Sequence, residues 1–290
     1  MKKTIHSFQN NMCQMMCNWG FLLAGMAVCL LMLTSEISIY DTFGTESKTI
    51  LEVIFFKGRE WISSSGEICW EELFLHQPQR GLCDYITIVT SLPFLVMFFR
   101  EHTSGALRNR IFMEGKKRFC LTRVFCGAIC GGGIVLLGQI LFLVIVRCFF
   151  PPAQVILEAE QIDLLLGNHT VAQAVLLQSG SMFLYGFGAS LFSIVLSAFT
   201  RDFYICLMLP FLINWLLVIL QSYLTSLLIV DYPDATGTVW TVLRWVQNYG
   251  RLDCLAYIEL WQCGIVVAVL SVLAGFIFTR RMEKRRDQGA

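Results

Sequence analysis

Residues 100–123 concentrate the side chains of this chain that could do chemistry. The stretch holds seven of the 22 Lys and Arg residues and lies between two strongly apolar stretches. The chemistry open to such a cluster is the binding of anionic groups on lipids or proteins. Its helix-favouring residues predict a short surface helix over residues 101–113, which Gly115 would close.

The sequence contains no motif that would let the chain catalyse a reaction alone. The phosphate-binding pattern Gly-x4-Gly-Lys-Ser/Thr does not occur, and the triplet Gly131-Gly132-Gly133 lacks the lysine that such a loop needs. The four histidines are scattered, and none has the HExxH spacing of a metalloprotease. We therefore expect no catalytic residue, no metal site and no cofactor held by this chain.

The twelve cysteines do not form a metal-binding pattern, since no CxxC pair occurs. Cys13 and Cys17 are four residues apart without a nearby histidine, and most of the others lie in apolar runs, where cysteine acts as a small hydrophobic residue. Cys69 and Cys83 bracket the end of a polar loop. A disulfide between them is compatible with an oxidising compartment, and two separate thiols are equally compatible with the spacing.

The elements that must position the basic stretch are membrane-spanning helices. Hydrophobic residues make up 56% of the chain and charged residues 15%, whereas soluble domains carry about 25% charged residues. Apolar runs of about 20 residues predict an all-α integral membrane protein of the multi-pass type in the cell membrane, with six transmembrane helices. The predicted spans are residues 21–40, 85–99, 119–146, 171–199, 203–230 and 260–278.

Charge places both termini in the cytoplasm. With this orientation the basic clusters lie inside and most acidic residues lie outside, as the positive-inside rule requires. Residues 1–19 then form an amphipathic helix on the inner membrane face, and residues 100–118 are a cytoplasmic segment. Residues 41–84 form a long outer loop, and residues 231–258 an outer interfacial or re-entrant segment rich in Trp and Tyr.

The strongest local pattern combines Glu101, Gly105 and Arg108 after the second span with Arg118 before the third. In this arrangement, and in its six spans, amphipathic start and long first outer loop, the chain resembles the permease subunits of bacterial ABC-2-type ABC transporters. In that family a Gly-Thr pair commonly follows the glutamate. Here Ala106 stands in place of the threonine.

The resemblance implies that residues 101–113 form a coupling helix that docks in a groove of a cytoplasmic ATP-binding subunit, which would hold the ATP and Mg²⁺. A second permease copy or a sister permease would complete the path, surrounded by membrane lipid and without nucleic acid. Export is the expected direction, and peptide antibiotics, lipids and drugs are compatible cargoes. The residues implied in the contact are Glu101, Gly105, Leu107, Arg108, Ile111 and Phe112, with Lys117 and Arg118 in a basic loop before span three.

Two alternatives remain open from the sequence. The chain could be an accessory membrane protein, such as a sensor or an immunity protein, that acts without ATP. The short helix could also lie on anionic lipid as a basic amphipathic helix instead of binding a protein. Substitutions at Gly105 or Arg108 would be harmless in an accessory protein, and this separates it from a permease.

Overall fold

The computed structural model describes residues 2–41, 44–57, 68–76, 78–166, 169–200, 202–225 and 260–287. This part of the chain is mostly helical, which confirms the predicted class in its coarse form. Three of its helices are long and apolar enough to cross a membrane, and they begin at Lys116, Val171 and Leu260. The predicted segment 231–258 lies outside the described residues.

The principal helices correspond to the six predicted spans and to the two predicted surface helices, with different ends. They are α1 (Lys2–Met16), α2 (Trp19–Leu33), α5 (Pro78–Thr103), α6 (Ala106–Glu114), α7 (Lys116–Phe149), α10 (Val171–Ser197), α11 (Phe203–Thr225) and α12 (Leu260–Asp287). The short elements are β1 (Glu36–Asp41), β2 (Gly44–Thr49), α3 (Ile50–Glu52) with a π-helical turn (Val53–Lys57), α4 (Trp70–His76), α8 (Ala153–Ile156) and α9 (Ala159–Leu166).

The centre of the molecule is the close contact between α7 and α10, which glycine makes possible. A Cβ atom added at Gly131 would lie 2.6 Å from the Cβ of Ser190 and 3.0 Å from the carbonyl oxygen of Gly186. Backbones can approach this closely where side chains are absent, which is how helices associate inside membranes. Helix α2 packs on the other side of α7, where a Cβ at Gly138 would lie 2.5 Å from Val28.

The first predicted span, residues 21–40, is wrong at its C-terminal end. Helix α2 ends at Leu33, and residues 36–41 form strand β1, which pairs antiparallel with β2 from Glu36↔Thr49 to Asp41↔Gly44. The β-branched Ile37 and Ile39 alternate with polar neighbours, a pattern that favours an extended strand. With 15 residues α2 is about 22 Å long. The Phe8–Met16 part of α1 and helix α2 are long and apolar enough to cross a membrane only together, with a bend of 58° between them.

The second predicted span, residues 85–99, is part of a longer helix. Helix α5 has 26 residues, begins at Pro78 and continues to Thr103. Glu101 therefore lies on the last turn of α5. The short helix that was predicted for residues 101–113 begins only at Ala106, as α6. The sequence did not show this break because Glu101, His102 and Thr103 do not themselves end a helix. The left-handed backbone of Gly105 separates the two helices.

Polar segments gather at the two ends of the helix bundle. At one end α4 meets the segment after α7, since the backbone N–H of Trp70 donates to the carbonyl oxygen of Pro151 at 3.1 Å. At the other end α1 and α6 lie together beside the start of α7. The guanidinium of Arg281 lies 5.1 Å from the ring centroid of Phe199, so α12 approaches the end of α10.

Candidate functional site

The candidate site is built around α6, a nine-residue helix between the two much longer helices α5 and α7. Gly105 before it and Gly115 after it have φ values of 72° and 81°. Residues with a Cβ atom rarely adopt such a left-handed backbone, so glycine lets the chain reverse sharply at both ends. No atom would meet a Cβ added at either glycine, so the requirement is conformational rather than steric.

Glu101 connects α6 to both neighbouring helices. Its Oε1 atom lies 2.9 Å from Nη1 of Arg110 on α6, and its Oε2 atom forms an ion pair with Nη2 of Arg123 on α7. The carboxylate is largely buried, and such an ion pair is strengthened by the low dielectric around it. The sequence placed Glu101 in the contact with a partner. The structure places it inside the protein, where it holds α5, α6 and α7 together.

Arg123 is the residue of this cluster that the sequence analysis missed. Its side chain is completely buried, and its guanidinium lies 5.3 Å from the ring centroid of Phe119. Its Nε and Nη1 atoms have no hydrogen-bond partner. The sequence contains a signal for this role: burying the charge of an arginine in an apolar run costs free energy, so such an arginine needs a carboxylate partner. The family pattern directed attention to Arg118, whose side chain is exposed.

Arg110 extends the cluster to the N-terminal helix. Its Nη2 donates to Oε1 of Gln14 at 2.9 Å and its Nη1 to Oδ1 of Asn11 at 3.4 Å. Helix α1 was predicted to lie on the inner membrane face. The structure shows that it packs on the protein, where Met15 is buried in the same hydrophobic cluster as Leu107. The N-terminal helix and α6 are therefore joined by one guanidinium.

Substitution of Arg110 by lysine should loosen α1. A lysine has one nitrogen, which cannot serve Glu101, Asn11 and Gln14 with the geometry of a guanidinium. Losing a hydrogen bond of this kind costs about 1 kcal/mol, which corresponds to roughly fivefold faster local opening. Hydrogen exchange of the amides of residues 9–16 measures this opening. The exposed neighbour Asn109→Ser should leave the exchange unchanged, and equal rates in both variants would contradict the role of Arg110.

The two faces of α6 differ in what they contact. Leu107 is buried and Ile111 is half-buried against a hydrophobic cluster to which α5, α7 and α10 contribute, so Leu107 is not available to a partner and Ile111 is available only in part. Phe112 and Met113 are 73% and 87% exposed. Of the predicted contact residues, Phe112 alone keeps an exposed apolar side chain, and Met113 was missed. The side chain of Arg108 lies outside the described residues.

The predicted basic loop before span three does not exist as a loop. Lys117 and Arg118 belong to the first turn of α7, which begins at Lys116 directly after Gly115. Both side chains are exposed. The physical reason is that one glycine suffices for the reversal, so the remaining basic residues continue the helix. Arg100 before α6 and these two residues after it flank the helix in the sequence with exposed basic side chains.

The opposite end of the molecule carries a second buried carboxylate. The backbone N–H of Ala153 donates to Oε2 of Glu71 at 2.8 Å, and burial raises the pKa of this carboxyl. Burial also raises the pKa of the adjacent Cys69 thiol to about 11, and this thiol is free. The structure therefore does not show the possible disulfide between Cys69 and Cys83, and the side chain of Cys83 itself lies outside the described residues. Within the described part of the chain, no three His, Cys, Asp or Glu side chains are grouped to hold a metal ion.

Comparison of the chain with models of protein families, with curated proteins and with solved structures finds no match in any of the three. The interpretation of the site therefore depends on its geometry and charge.

Proposed function

We propose that this chain is the membrane-spanning permease subunit of an ABC transporter, and that α6 docks on a separate cytoplasmic ATP-binding subunit. The proposed activity is export, with ATP hydrolysed in the partner and the path formed by two permease copies or by a permease and its sister. Peptide antibiotics, lipids and drugs remain the proposed cargo classes. The chain itself performs no chemistry in this scheme.

The observation that carries the proposal is the form of α6. It is a short helix fixed between two long helices by an ion-pair cluster, and it presents Phe112 and Met113 outwards. Two large exposed apolar side chains in a segment that is rich in basic residues have the composition of a protein contact, in which aromatic and Met anchors fill pockets and charged residues lie at the rim. A rigid mounting of this kind would transmit a push on α6 directly to α5 and α7.

The proposed topology has six spans with both termini in the cytoplasm. Helices α2, α5, α7, α10, α11 and α12 would supply these spans, α2 together with the bent α1. The end of the bundle that carries α1 and α6 would then be cytoplasmic, since its basic residues satisfy the positive-inside rule. The end with α4, α8 and the β1–β2 ribbon would face outwards. This arrangement makes the exposed face of α6 accessible to a soluble ATP-binding subunit.

Co-purification in detergent with the products of the neighbouring genes tests the proposal. The double substitution Phe112→Glu and Met113→Glu should remove the ATP-binding subunit from the purified complex, because it places two carboxylates in the apolar centre of the contact. Arg108→Glu or deletion of residues 101–113 should have the same effect, although the deletion also removes Glu101.

A matched control is available in the chain. Phe55 and Phe56 are also adjacent and exposed, at 75% and 86%, but they lie at the other end of the molecule. Phe55→Glu with Phe56→Glu should retain the ATP-binding subunit. A wild-type chain that purifies without any ATPase would contradict the proposal and favour an accessory membrane protein. An ATPase that remains bound to the Phe112 and Met113 variant would show that α6 is not the contact.

A further inference from the structure

The C-terminal end of helix α1 carries two exposed cysteine side chains that contact each other. Cys13 lies on the last turn of α1, and Cys17 is the first residue after the helix. The Sγ atoms of the two residues are 3.6 Å apart. The backbone N–H of Cys17 donates to the carbonyl oxygen of Cys13 at 2.9 Å, so the helical turn continues far enough to hold both thiols on one side of the chain.

This pair differs from the other cysteines of the described part of the chain. Of the ten cysteine side chains that the structure describes, seven are buried, and the third exposed one, Cys148, lies at the far end of α7. A buried cysteine acts mainly as a small hydrophobic residue, whereas an exposed thiol is open to ligands and reagents. Cys13 and Cys17 therefore combine access from solvent with contact between two sulfur atoms.

The separation of the two sulfur atoms suits a shared metal ion. In a tetrahedral site, metal–sulfur distances of about 2.3 Å place two sulfur ligands about 3.8 Å apart. The observed distance of 3.6 Å is close to this value, whereas a direct bond between the sulfurs would require a much closer approach. The spacing in the sequence did not predict a metal site, because no histidine lies near these cysteines and spacing alone does not show that their sulfurs meet.

We infer that Cys13 and Cys17 form a two-thiol binding site for a soft metal ion. Thiolate sulfur is a soft ligand that prefers ions such as Cu(I), and Cd²⁺ belongs to the same class. Each thiol loses its proton when its sulfur bonds to the metal, so a divalent ion that binds both sulfurs releases two protons. Water or a small thiol from solution would fill the remaining coordination positions, since both side chains are exposed. The site goes beyond the proposed transport function and does not depend on it.

Protection of the thiols from alkylation tests this inference. The full chain is purified in detergent with its cysteines reduced, Cd²⁺ is added in steps, and labelling of each cysteine by iodoacetamide is measured by peptide mass spectrometry. Cd²⁺ should protect Cys13 and Cys17 together, and a chelator should restore their labelling. Cys148 is the internal control, because a single exposed thiol should still be labelled at the Cd²⁺ concentrations that protect the pair.

The variant Cys13→Ser shows whether the two thiols act as a pair. A second ligand on the same turn makes its binding step intramolecular, so protection of Cys17 in Cys13→Ser should require roughly a hundredfold more Cd²⁺ than in the wild type. The control Cys148→Ser should leave the protection of Cys13 and Cys17 unchanged.

Three results would overturn the inference. Cys13 and Cys17 of the wild type could be labelled equally fast with and without Cd²⁺, so that the pair binds no metal ion. Cys17 could be protected at the same Cd²⁺ concentration in the wild type and in Cys13→Ser, so that each thiol binds alone. Cys148 could be protected as well as the pair, so that Cd²⁺ binds any exposed thiol.

Discussion

Glu101→Gln should destabilise the protein more than Arg123→Met, although both substitutions break the same ion pair. The first leaves the fully buried Arg123 without the carboxylate that it pairs with. Removing one partner of a buried pair costs about 3–5 kcal/mol, because the remaining charge stays buried and uncompensated. The second leaves Glu101 paired with Arg110, which is partly exposed, and fills the site with an apolar side chain of similar length.

The double variant tests whether the effects of the two substitutions depend on each other. Glu101→Gln combined with Arg123→Met removes both members of the pair and should be more stable than Glu101→Gln alone, because no unpaired buried charge remains. The measurement is the midpoint of thermal unfolding of the purified protein in detergent, with the exposed Glu158→Gln as a control that should not move it. If the losses of the two single variants simply add, the two residues are not coupled and the cluster does not fix α6.

The long helices could be predicted from the sequence because their signal is local. Runs of apolar residues between polar ones identify α7, α10 and α12 without any knowledge of their neighbours. The close approach of α7 to α10 at Gly131 and Gly186 joins two distant stretches of the chain, so local hydropathy does not reveal it. Strand β1 was missed because Ile37 and Ile39 continue an apolar run, and hydropathy does not separate a strand from a helix over so few residues.

The ion-pair cluster could not be predicted because it depends on three helices meeting. Glu101 and Arg123 are 22 residues apart, and their contact requires both the reversal at Gly105 and the reversal at Gly115. A helix that began at residue 101 would have turned Glu101 to the same surface as Phe112. The sequence therefore predicts that Leu107 and Phe112 belong to one contact surface. In the structure Leu107 lies in the core and Phe112 is exposed.

Gly131→Ala should destabilise the protein and Gly133→Ala should not, although the two glycines are only two positions apart on α7. At Gly131 the added Cβ would lie 2.6 Å from the Cβ of Ser190 and 3.0 Å from the carbonyl oxygen of Gly186, so α7 and α10 must separate. Overpacking of this kind costs roughly 1–3 kcal/mol. At Gly133 the nearest atom is Cζ of Phe21 at 3.5 Å, an ordinary contact.

The expected increase in stability with alanine at position 133 comes from the helix itself. Alanine is favoured over glycine inside a helix by roughly 0.5–1 kcal/mol, because glycine loses more backbone freedom on folding. The unfolding midpoint in detergent should therefore fall for Gly131→Ala and stay constant or rise for Gly133→Ala. Gly131→Leu should lower it further, since the larger side chain requires a wider separation. A fall of equal size for both alanine variants would show that loss of glycine flexibility, and not the close approach of α7 and α10, controls the stability of this contact.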